Sequence, residues 1–156
     1  MDQVDKIEHE NGCVEGYINW QGVLNNAYRL RGERLFLDLA TDPESARHVF
    51  DCVATTMIDC ARRLHERQRL TGVEVCHFTV SNCVVNMISP GHYREFLLPF
   101  DRRISEIFGL IGVHKCAPGH HIHAHGCREQ NFRTAEKRPG TYCPGLRSVR
   151  LGFCRH

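Results

Sequence analysis

Residues 72–116 constrain the fold more than any other stretch of the chain. Gly72-Val-Glu-Val-Cys-His-Phe-Thr-Val80 reads as a strand, Ser89-Pro90 opens a helix running to about Gly109, and Leu110-Ile-Gly-Val-His-Lys-Cys116 reads as a second strand. A strand, a loop, a helix and a strand over this length make up the crossover that two parallel strands require. The first strand is apolar on both faces apart from Glu74 and His77, the pattern of a parallel strand covered on two sides. Side chains alternate along a strand, so His114 and Cys116 point the same way at the end of the second one.

Upstream, Gly16–Trp20 reads as a short strand turning at Gln21-Gly22, and Val23–Arg31 as a helix stopped by Gly32. A further helical turn or two spans Glu33–Ala40. Asp42-Pro43 is a strong helix start: Asp42 accepts from free backbone N–H groups, and Pro43 sits where its missing N–H costs nothing. The helix it opens runs to about Leu70. Its apolar stripe is Ala46, Val49, Phe50, Val53, Met57, Cys60, Ala61 and Leu64, opposite a charged, solvated face. The helix after Ser89-Pro90 carries Tyr93, Phe96, Leu97, Phe100, Ile104, Ile107 and Phe108, and Pro99 predicts a kink or a restart within it. Residues 1–13 are polar and without periodicity, which predicts a disordered or frayed start. The fold class expected is α/β, with right-handed crossovers and a parallel sheet.

Composition divides the chain at Cys116. Residues 1–116 carry 13 Lys+Arg and 16 Asp+Glu, whereas residues 117–156 carry 7 and 2, together with five of the eleven His and three of the nine Cys. The tail can be read as a His/Cys metal-binding tract or a basic nucleic-acid segment. Its spacing fits no standard zinc finger, and it has no aromatic platform. The preferred reading of 117–156 is a basic tail that is unstructured or comes from a shifted reading frame. Nine cysteines, a polar N-terminus and no apolar run of about 18 residues predict reduced thiols, a cytoplasmic location and no membrane partner. Cys52, Cys60, Cys76 and Cys83 are expected to be small buried hydrophobes, and Met57 and Met87 ordinary core.

Three stretches carry a family resemblance: Gly22-Val-Leu-Asn-Asn-Ala-Tyr-Arg-Leu-Arg-Gly32, Leu37-Asp-Leu-Ala-Thr-Asp-Pro-Glu44 with its helix, and Ile88-Ser-Pro-Gly-His-Tyr-Arg-Glu-Phe-Leu-Leu-Pro-Phe100. Together they resemble the uroporphyrinogen decarboxylase superfamily, which includes the cobalamin-linked methyltransferases. The resemblance covers residues 14–116 and implies about three strands of a TIM (β/α)8 barrel, with chemistry at the carboxyl ends of the strands. The decarboxylase branch implies a lyase without cofactor acting on an anionic tetrapyrrole in porphyrin biosynthesis. Its substrate-pocket tyrosine matches Tyr28, which can equally be packed against a helix. The methyltransferase branch implies a zinc ion that activates a substrate thiol, a cobalamin methyl donor and a corrinoid protein as partner. His114 and Cys116 would be two of its metal ligands, or else a packed pair. The family's aspartate and main arginine cluster would fall before Met1, and a third zinc ligand beyond residue 156. The chain by itself is therefore expected to be weakly stable and inactive. The alternative outside enzymology is a non-catalytic product or a binding module using the basic tail.

Overall fold

The computed structural model describes residues 2–14, 18–75, 78–109 and 111–114. They form a mixed α/β structure, mostly helical. Helix α1 (Asp2–Asn11) is followed by strand β1 (Asn19–Gln21), helices α2 (Val23–Arg31), α3 (Arg34–Thr41) and α4 (Pro43–Leu70), and strand β2 (Phe78–Ser81). A 3-10 turn (Val85–Met87), helix α5 (Pro90–His92), a π turn (Tyr93–Leu97), helix α6 (Leu98–Phe108) and strand β3 (Ile111–His114) complete it. The strands form one parallel sheet in the order β1-β2-β3, with Trp20, Val80 and Val113 in register, and likewise Gln21, Ser81 and His114.

The predicted helix boundaries follow local chemistry. Asp42 accepts from the Ser45 N–H at 3.2 Å, Ser89 Oγ accepts from the His92 N–H at 3.0 Å, and a proline follows each cap. Gly32 and Gly109, which stop α2 and α6, have φ of 67° and 77°, where a side chain is strained.

Pro99 gives a restart. The segment widens into the π turn before it and resumes as α6 with Pro99 in its first turn. Proline cannot donate to the carbonyl four residues back, that of Glu95. Arg47 of α4 compensates: its Nη1 donates to the Glu95 carbonyl at 3.3 Å, its Nη2 to the Glu95 carboxylate at 2.7 Å, and its guanidinium lies 4.5 Å from the centre of the Phe96 ring.

The core lies on one face of the sheet. Phe78 and Val80 point into it and are 1% and 2% exposed. Phe78 stacks on Trp20 (5.9 Å between ring centres) and on Phe108 of α6 (4.7 Å), and His65 of α4 meets both phenyl rings edge-on. Thus α4 and α6 pack on the same face. This is what consecutive parallel strands joined by right-handed crossovers require. Burial lowers the pKa of His65, because its ring is partly sealed among apolar groups.

Several expectations are corrected. Residues 2–11 are helical rather than frayed. Arg67 near the end of α4 pairs with Asp5 at 2.8 Å and with Glu8, which ties α1 to α4. Of the strand expected over 72–80, residues 72–75 are not strand, whereas Phe78–Ser81 pairs: the Val73 N–H bonds the Gln68 carbonyl, so the chain is still closing α4 at Val73. Cys52 and Cys60 are exposed and Cys83 is half-buried. The buried stripe of α4 runs through Ala54, Ile58 and Ala61, and Cys60 lies about 100° around the helix from Ala61. Met87 is 52% exposed because the 3-10 turn carries it outward, whereas Met57 is core, as expected. Cys76, His77, Cys116 and the 117–156 tail lie outside the described residues.

Two outcomes test this packing. Replacing Arg47 by Met should cost about 1 kcal/mol in urea unfolding, since it removes an exposed pair of bonds to Glu95 and a cation–π contact. A loss within the error of an exposed Arg-to-Met control would refute the role. The second concerns Asp101, 4% exposed, which accepts from the Tyr93 hydroxyl at 2.8 Å. Burial pushes its carboxyl up to about 6 from 3.8, against the opposing effect of the Tyr93 hydrogen bond. The folded state then holds the extra proton between these values, so this contribution is complete below 3.8 and is lost as pH rises through 6. At 1.36 kcal/mol per unit the loss is about 3 kcal/mol. Asp101→Asn should gain stability at pH 7.5 and little at pH 4; an equal effect at both, measured by denaturation, would rule this out. His65 has the opposite sign, since its lowered pKa weakens the fold as pH falls through about 6.5.

Candidate functional site at the carboxyl edge of the sheet

The second face of the sheet is polar. Period two places Asn19, Gln21, Thr79, Ser81 and His114 opposite Trp20, Phe78, Val80 and Val113. Register then assembles them in rows. Asn19, Thr79 and Gly112 form one row, and Gln21, Ser81 and His114 form the last one, where all three strands end. Gly112 leaves room for Thr79, whose Oγ1 would lie 3.0 Å from a Cβ there.

Hydrogen bonds tie this edge together. Asn19 Nδ2 donates to Ser81 Oγ at 2.8 Å. The Gly22 N–H donates to the Ser81 carbonyl, and the Asn82 N–H to the His114 carbonyl, both at 2.9 Å. Asn25, 6% exposed in the first turn of α2, spans two segments. Its Nδ2 donates to Gln21 Oε1 at 2.9 Å, and its Oδ1 accepts from the Val84 N–H at 3.2 Å. Asn26 Nδ2 donates to the Gln21 carbonyl at 3.0 Å. Strand ends, the start of α2 and the loop after β2 thus form one hydrogen-bonded unit.

Gly22 is required by a close approach, not by its backbone angles. Its φ of −65° suits any residue. A Cβ there, however, would fall inside the van der Waals radius of Asn82 Oδ1 and 3.1 Å from the Ser81 carbonyl oxygen. Asn82 is 3% exposed, and its Oδ1 has no hydrogen-bond partner among the described residues.

The sequence-predicted residues fall as follows. His114 ends β3, exposed, in the same row as Gln21 and Ser81. Its expected companion Cys116 lies outside the described residues. Tyr28 is half-buried on α2, its ring 5.4 Å from that of Phe36 on α3. Among the described residues no three His, Cys, Asp or Glu side chains converge as a metal site would need, so no zinc chemistry is derived from them. Sequence reasoning missed Asn19, Gln21, Asn25 and Asn82. A signal was present: the density of Asn and Gln around Gly22 and after Val80 is unusual for segments adjoining a buried core.

No family model, no curated protein and no solved structure matches the chain. None of the described helices is long and apolar enough to cross a membrane.

Gly22→Ala should lower unfolding stability by about 1–3 kcal/mol through overpacking. Asn82→Ala in the same chain should recover most of that loss, because it removes the colliding group. An equal cost in both backgrounds, measured as a double-mutant cycle, would place the need for glycine elsewhere.

Proposed function

We propose that the chain is one side of a (β/α)8 barrel of the uroporphyrinogen decarboxylase type, and that its polar edge contacts a porphyrinogen. The observation that supports this reading is the singly wound sheet. Strand order β1-β2-β3 with α4 and α6 on one face leaves the opposite face as a barrel interior would be. That face is polar, and its last row sits at the carboxyl ends of the strands, where barrel enzymes work.

In this reading Gln21, Ser81 and His114 face the tetrapyrrole; Tyr28, the residue the family resemblance implies for the pocket, packs its ring against Phe36 of α3. The family's chemistry is decarboxylation in tetrapyrrole biosynthesis, in the cytoplasm and without a cofactor. The three strands among the described residues carry only part of such a site, so the expected behaviour is substrate binding without turnover. Calorimetric titration with uroporphyrinogen, kept reduced, should give saturable binding that His114→Ala weakens severalfold, with no loss of substrate carboxyl groups. Absence of saturable heat would overturn the reading, and turnover would overturn the divided site.

A second reading is favoured by the exposed imidazole of His114 at the end of β3: a thiol methyltransferase segment served by a corrinoid protein. His114 and Cys116 would hold zinc, which supplies a lowered thiol pKa. Equal zinc content in the wild type and in Cys116→Ser would exclude Cys116 as a ligand.

A further inference from the structure

The start of α2 is an uncapped helix end at the carboxyl edge of the sheet. Gly22 links β1 directly to α2, so the N–H groups of Val23, Leu24 and Asn25 emerge at that edge. Among the described residues no side chain caps them and no other element supplies a backbone acceptor, and the first turn has no acidic residue. Asn25 cannot fold back to cap them, because its carboxamide is held by Gln21 and Val84. Val23 and Leu24 are 1% and 2% exposed, their side chains packed in the hydrophobic core. A helix N-terminus carries roughly half a positive charge, and the described segments that form this edge, Asn19–Asn25, Ser81–Met87 and Ile111–His114, contain no Asp or Glu.

The second observation is independent of the helix. The Asn82 side chain, 97% buried, lies against Gly22, the capping residue of α2, with Oδ1 unpartnered among the described residues. Leaving a buried amide oxygen without a donor costs about 1–3 kcal/mol. Unpaired backbone donors and an unpaired amide oxygen thus lie together, and that oxygen is the one buried side-chain polar atom without a hydrogen-bond partner among the described residues. A carboxamide also presents a donor in place of an acceptor after a half-turn.

We propose that the N-terminus of α2 and Asn82 form a binding site for a compact oxyanion, a carboxylate or a phosphoryl group. The first-turn N–H groups donate to the anion oxygens. Asn82 accepts from a P–OH through Oδ1, or donates to a carboxylate through Nδ2. The site is independent of the tetrapyrrole reading, since it asks only for the anionic group.

The test is a 1H–15N NMR titration of the full chain with inorganic phosphate, with propionate, and with chloride as the ionic-strength control. The expected result is saturable shifts of the Val23, Leu24 and Asn25 amides and of the Asn82 side-chain NH2 with phosphate, propionate or both. Response to phosphate alone assigns a phosphoryl ligand met by Oδ1; response to propionate assigns a carboxylate met by Nδ2. Asn82→Asp places a fixed carboxylate at the helix end and should weaken the response at least about tenfold. If that variant loses its dispersed spectrum, Asn82→Leu, which keeps the volume without the polar group, is read in the same way. Arg62→Gln with Arg63→Gln removes cations from the exposed basic groove on α4 and should leave the response intact. The proposal is overturned if the α2 amides do not shift, if chloride shifts them equally, or if the Asn82 variant responds as the wild type does. Porphyrinogen binding without these anion shifts would sink this site and spare the barrel reading.

Discussion

The stacking of Phe78 on Trp20 and Phe108 is the contact on which the rest of the structure depends. Strand β2 is four residues long, and its hold on the helices rests on Phe78 and Val80. Burying a phenyl group contributes roughly 1.5–3 kcal/mol, and each well-placed ring pair about 0.5–1.5 more. Through Phe78, β2 is joined to β1, α4 and α6 at once. Because both helices meet this one ring, both lie on one side of the sheet. The orientation of every other strand residue follows from that choice.

The polar edge is the complement of the aromatic side. With period two and parallel register, a face that buries Phe78, Val80 and Val113 must turn Thr79, Ser81 and His114 the other way. The buried Asn25 and Asn82 then face a demand that apolar residues do not, since each buried polar atom needs a partner. Asn25 meets it through Gln21 and Val84, whereas Asn82 Oδ1 does not among the described residues. Gly22 makes this geometry possible by leaving room for the carboxamide at the junction of β1 and α2.

The two proline-associated helix starts behave differently for a reason that lies outside them. Pro43 follows a capping aspartate and begins an unbroken helix, whereas Pro99 falls inside a continuing apolar stripe. The carbonyl stranded by Pro99 finds its donor in Arg47, 48 residues earlier on α4. No local pattern announces that partnership. Asp38 is a parallel case: it is buried at 5% exposure because Arg31 reaches it at 2.7 Å, joining α2 to α3.

The sequence by itself determined the elements whose signals are local. Asp42-Pro43 and Ser89-Pro90 start helices because their oxygens satisfy free N–H groups a few bonds away, and Gly32 and Gly109 end them because only glycine adopts their φ at little cost. The apolar stripe of α4 and the parallel sheet follow from periodicity and crossover length. Tertiary structure decided what depends on partners distant in sequence. Helix α1 forms where no periodicity suggests it, because Arg67 binds Asp5 and Glu8 across the fold. Residues 72–75 stay out of the strand expected there, because Val73 is engaged in closing α4. The Asn-rich edge is assembled only once three strand ends and the start of α2 come together. A single sequence states which donors and acceptors exist; which of them are left facing one another is set when the chain packs.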